Sequence, residues 1–278
     1  MKKLIITFFI MLFIATLVFS QSEATRFYNV NNTSTPPTID GVISPGEYAD
    51  ADPAQGEFKL LRTPYPGTLA TENIQFQAMQ DAQNLYIVIT TDDNDFSQAA
   101  ASADDGITFN DDTELFFDPG DINENKGGNT EDDSYQFAIP MISGIRALNS
   151  AGPPYYSSAA RYDSLFGGTN YNPPNPAFAV NATPGNAVVE IAIPFSILSI
   201  NTYGGTQSGT ESDMEHISSP PAGERWAFNI CRTSGTSSEL PLWNYHTGDG
   251  ATAYFAEKPF GEFIFEGAAK TKTYEFYE

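Results

Sequence analysis

The chain has 278 residues, with 35 Asp+Glu against 13 Lys+Arg and a formal net charge of −22. That charge argues against a nucleic-acid or anionic-membrane partner and leaves neutral sugars, cations or plain solubility. Cys231 is the sole cysteine, so no intrachain disulfide forms and the fold stands on packing.

Met1–Ser20 reads as a targeting segment: Lys2 and Lys3 precede an almost unbroken apolar run, Leu4–Phe19. Val18-Phe19-Ser20 places small residues at the outer cleavage positions, which predicts cleavage before Gln21. A run of about 16 apolar residues is short for a membrane span. No Cys follows it, which argues against a lipid anchor. The expectation is a secreted protein with no membrane span after cleavage. Without Lys2 and Lys3 the mature chain carries 11 basic and 35 acidic residues, a net −24. Its 258 residues (278 − 20) suit one large β domain over 21–267, followed by a tail at 268–278.

Phe27–Val30 predicts a first strand. Asp40-Gly41 marks a tight turn, and Pro45-Gly46-Glu47 opens a short helical turn. Ile74–Gln80 alternates, with Ile74, Phe76 and Ala78 on one face. Leu85–Thr91 follows after a turn at Asp81–Asn84, so the two form a hairpin. Asp92, Asp93 and Asp95 cluster at its end.

The stretch Asn110–Asp121 is the most informative. Alternation sets Thr113, Leu115 and Phe117 on one face and Glu114, Phe116 and Asp118 on the other. Pro119-Gly120 ends the strand, because Pro has no donor for a ladder and Gly permits turn dihedrals. Carboxylates beside apolar side chains on a sheet face suit a polar ligand or a hard cation. They equally suit a solvated face. Asp121-x-Asn123-x-Asn125 resembles the start of an EF-hand loop, but Lys126 stands where that loop needs Gly. A looser calcium site using Asp118, Asp121, Asp132 or Asp133, and a merely solvated loop, are the two readings of this region.

Ser134–Ile139 is the next strand. The irregular stretch Met141–Asn186 predicts short strands near Gly144–Leu148 and Ala177–Asn181. Its tyrosines, Tyr155, Tyr156, Tyr162 and Tyr171, either stack on sugar rings or pin a long loop. Ala187–Ile193 is a strand, with a helical turn over Pro194–Leu198. Asn201–Gly223 reads as a loop insertion holding His216. Glu224–Arg232 is a long strand with Trp226, Phe228, Ile230 and Arg232 on one face. Leu240–His246 carries Trp243, and Pro259–Phe265 closes the sheet. Roughly ten to twelve short strands with turn signals between them predict an all-β fold with little helix: a two-sheet antiparallel β-sandwich, jelly-roll-like.

The order of these pieces resembles the family 9 carbohydrate-binding modules. The matching residues run from Ile39-Asp40-Gly41 with Glu47-Tyr48, through Asp81…Asn84-Leu85-Tyr86 with Asp92, to Asp111…Glu114-Leu-Phe-Phe-Asp118 and Tyr135-Gln136-Phe137. Val189-Glu190-Ile-Ala-Ile-Pro194-Phe, Trp226-Ala-Phe-Asn229-Ile-Cys-Arg232 and Phe260-Gly261 complete the set. The resemblance implies a two-sheet sandwich, often with structural calcium. It also implies a sugar ring clamped between two tryptophans and bonded by a carboxylate and an arginine. Glu114 matches the carboxylate. The arginine position falls on Ala138, one tryptophan position near Thr108 or Phe109, and the other near Tyr254 or Phe255.

The first functional expectation is therefore a secreted, non-catalytic protein that binds a polysaccharide or oligosaccharide alongside polysaccharide-degrading machinery. Its ligand residues would be Glu114, Phe109, Tyr254 and Phe255, with Trp243 and the loop tyrosines. An extracellular structural or surface protein is the alternative, because the clamp tryptophans are replaced. A glycoside hydrolase needs two carboxylates at a set separation, and no motif picks out a pair. Haem ligation lacks a C-x-x-C-H, and nothing pairs the methionines with His216 or His246.

Overall fold

The computed structural model describes residues 25–54, 56–60, 67–96, 111–119, 135–141, 143–147, 155–158, 177–201, 214–216, 219–233, 241–244 and 261–266. In chain order its strands are β1 (Phe27–Asn32), β2 (Lys59–Leu60), β3 (Ile74–Gln80), β4 (Asn84–Thr91) and β5 (Asp112–Pro119). Then come β6 (Tyr135–Pro140), β7 (Gly144–Ala147), β8 (Tyr155–Ser158), β9 (Ala177–Asn181) and β10 (Ala187–Pro194). The last are β11 (Ser199–Asn201), β12 (Met214–His216), β13 (Arg225–Thr233), β14 (Pro241–Leu242) and β15 (Gly261–Phe265). A 3-10 turn, Phe195–Ile197, follows β10.

The strands run β7-β9-β10-β4-β3-β1-β15-β13-β5-β6-β8. β1 belongs to both halves of this path. Phe27–Val30 pair with β15 in a front sheet, and Asn31–Asn32 pair with β3 in a back sheet. Both of these pairings are parallel, so the sandwich is mixed where the sequence predicts it antiparallel. The reason lies in β1 itself: it passes from one sheet to the other, and the strands it joins run in its own direction. His216, expected in a loop, sits in β12 opposite Ser199 of β11.

Alternation builds the core. Ile74, Phe76, Ala78, Leu85, Ile87, Ile89, Val189, Ile191 and Ile193 project from the back sheet. Leu115, Phe117, Trp226, Phe228, Ile230, Phe263 and Phe265 meet them from the front sheet. Each large side chain taken fully from water contributes roughly 1.5–3 kcal/mol. Trp243 fills the gap over Gly261: a Cβ there would lie 2.3 Å from Trp243 Cζ3, so that strand position needs a glycine.

Candidate functional site

The acidic strand β5 pairs with β13 on one side and β6 on the other, with Glu114 opposite both Cys231 and Ala138. Thr113, Leu115 and Phe117 face inward as the alternation predicts, and Asp112, Glu114 and Phe116 face outward. That outer face is enclosed: Glu114 is 2% exposed, with Phe116, Asn229 and Cys231 equally shielded. The Asp112 and Glu114 carboxylates therefore lie under cover rather than on an open platform.

Asn229, on the same face of β13, fixes the chain beyond β14. Its Oδ1 accepts from the Asn244 and Ile230 N–H groups, and its Nδ2 donates to the Asn244 carbonyl. Asn244 Oδ1 in turn accepts from the Arg26 N–H at 3.0 Å. The Arg26 guanidinium donates to the carbonyls of Glu57 and Trp243. This network sends the Trp243 ring into the core, edge-on to Phe76 at 5.1 Å. Trp243 is fully buried and has no ring face to offer a ligand. The sequence offers Trp243 as a sugar contact; here its indole packs in the core. The chain leaves its predicted strand after Leu242, which turns Trp243 inward instead of along the sheet.

Two further polar centres hold the fold. At the rim, Arg232 ends the inward face of β13 and pairs with Asp93 at 2.7 Å, with Asp111 at 3.9 Å and with the carbonyl of Asp112. Asp93 follows β4 and Asp111 precedes β5, so this buried cation ties the two sheets together. On the outer side of the back sheet, Glu190 of β10 is fully buried. It accepts from the Gly41 N–H at 2.7 Å, the Asp40 N–H at 3.1 Å and the Tyr48 hydroxyl at 3.0 Å. Burial raises the Glu190 carboxyl above the usual carboxylate range, against the pull of these bonds. Burial, and then the Glu190 charge, also push the Tyr48 phenol up, so it stays a donor. Gly41, at φ +82°, lets the tight turn present both N–H groups to one carboxylate. A lone Glu inside Val188-Val-Glu-Ile-Ala-Ile193 was the signal for this clamp, since a buried charge needs partners.

A groove of about 420 Å³ opens between residues 53–54, 56–58 and 69–75, with Glu57, Glu72, Asn73 and Gln75 on its walls and Phe58 and Leu69 beside them. Its size and polar lining suit a small hydroxylated molecule or water.

Of the predicted site residues, β5 carries Glu114 and the backbone of Asp118, the latter opposite Ala227. Phe109, Tyr254, Phe255, Asp121, Asp132 and Asp133 lie outside the described residues. Among the described residues, no group of three or more His, Cys, Asp or Glu could hold a metal ion. No described helix is long and apolar enough to cross a membrane.

No protein-family model matches the sequence, and no curated protein matches it. Solved structures do. A family 9 carbohydrate-binding module from Caldicellulosiruptor kristjanssonii in complex with cellotriose aligns with a TM-score of 0.52 at 14% identity, over 91% of this chain and 100% of that one. The same organism's module in complex with glucose aligns with a TM-score of 0.52 at 14% identity, over 89% and 100%. The chain has the fold of the family 9 carbohydrate-binding modules.

Proposed function

We propose that this chain is a secreted, non-catalytic carbohydrate-binding protein whose ligand is a neutral polysaccharide or oligosaccharide. The observation that carries the reading is the match of 91% of the chain to the whole of a sandwich solved with cellotriose. The net charge of −22 supports a neutral glycan over an anionic one, since like charges repel. A role beside polysaccharide-degrading enzymes, and structural calcium held by Asp118, Asp121, Asp132 and Asp133, belong to the same proposal.

The test is a glycan-array screen of residues 21–278, in calcium and in chelator, with Glu114→Ala alongside. The expected result is a neutral-glycan hit, weakened in the variant and thermally less stable in chelator. Folded protein that binds nothing would contradict it. A second reading, an extracellular structural protein, draws on one observation: Glu114 is enclosed and Trp243 is core, so the described part of the inherited site is not open. In that case Glu114→Ala changes stability and no sugar affinity exists to lose.

A further inference from the structure

The outer face of the front sheet is covered at β5 and open at β1. Phe27 and Asn29 project outward from β1, because Tyr28 and Val30 face the core. Phe27 pairs with Glu262 and Asn29 with Ile264 across the parallel ladder. Beyond them, Arg225 of β13 lies opposite Ile264. The Arg225 side chain reaches back across β15, pairs with the Glu262 carboxylate, and lays its guanidinium 5.4 Å from the centre of the Phe27 ring. Phe27 stays 53% exposed. Arg225 Nε is shielded from water and has no hydrogen-bond partner.

We infer that Phe27, Arg225 and Glu262, flanked by Asn29 and Ile264, form a second contact site for a neutral pyranose ring. The half-exposed Phe27 ring suits the C–H face of a sugar. The guanidinium and the carboxylate answer each other's charge. The patch therefore offers fixed donors and acceptors without net charge, which matches hydroxyl groups and disfavours a phosphate, a sulfate or a uronic acid. Parallel pairing makes the site: it sets Phe27 level with Glu262, close enough for Arg225 to touch both. Phe27 is four residues along β13 and three strands across from Glu114, about 13 Å by about 14 Å. The patch is thus separate from the acidic strand and extends the reach of a longer glycan.

This inference rests on the carbohydrate-binding reading, and one experiment separates them. The full chain, Phe27→Ala and Phe27→Tyr are run by affinity gel electrophoresis in hydroxyethyl cellulose. They are then titrated calorimetrically with cellotriose and with xylan- and mannan-derived oligosaccharides. Phe27→Ala is expected to bind about five- to tenfold more weakly with its melting temperature unchanged, and Phe27→Tyr to bind like wild type. Wild type that binds beside a Phe27→Ala variant of equal affinity overturns the second site and leaves the function standing. Wild type that binds none of the neutral glycans overturns both.

Discussion

The two sheets treat their outer faces differently. On the back sheet, the segment around Ile39–Ala51 closes over Met79, Tyr86, Val88, Val188 and Ala192, with Glu190 as its polar anchor. On the front sheet, β5 is covered, but β1, β15 and the start of β13 leave Phe27, Asn29, Ile264 and Arg225 at least partly open. A closed face gives stability, because its polar anchor Glu190 is hydrogen-bonded internally. An open face with an aromatic ring and a neutralised ion pair adds little to stability and offers recognition. Substitutions on the closed elements should therefore move folding, and substitutions on the open patch should move binding.

The largest effect is expected where the two sheets are tied. Arg232→Met leaves the Asp93 and Asp111 carboxylates without their buried cation, which should cost about 3–5 kcal/mol in urea unfolding. Glu190→Ala strips two N–H groups and the Tyr48 hydroxyl of their acceptor, for a loss of about 2–3 kcal/mol. Gly261→Ala drives a methyl into Trp243 and should cost about 1–3 kcal/mol in the same assay. Phe27→Ala lies at the other extreme, within about 0.5 kcal/mol of wild type. A loss at Phe27 as large as the one at Glu190 would erase the distinction between the faces.

The closed face also predicts a pH dependence. Burial raises the Glu190 carboxyl, so the folded chain holds that proton to higher pH than the unfolded chain does. This residue's contribution to stability is then fullest in acid and declines as pH rises through and above the ordinary carboxylate value. The stability gap between wild type and Glu190→Gln should narrow from about pH 4 to about pH 7. A gap that widens over that range would contradict the assignment.

Much of the fold is legible in the residues. The hairpin of β3 and β4, the strand Ala187–Pro194 and the aromatic alternation of β13 follow from period-2 patterning, and each sits within a residue or two of its predicted bounds. The parallel seam at β1 was not legible, because alternation tells which side chains face inward and nothing about strand direction. The site was less readable than the fold for a related reason. Trp243 has the composition of a sugar-stacking residue, but its direction is set by Asn229 holding Asn244, a contact between distant segments. Phe27 looks like an ordinary strand aromatic until parallel pairing brings Arg225 and Glu262 to it.

The most direct test compares the two faces in one sample. Methyl-labelled full-length protein is titrated with cellotriose while the methyl resonances of Ile264, on the open front face, and of Val42 and Ile43, exposed on the cover of the back sheet, are followed. Saturable shifts at Ile264 with Val42 and Ile43 silent are the predicted result. Shifts confined to Val42 and Ile43, or none at any of the three, would contradict a sugar-binding front face.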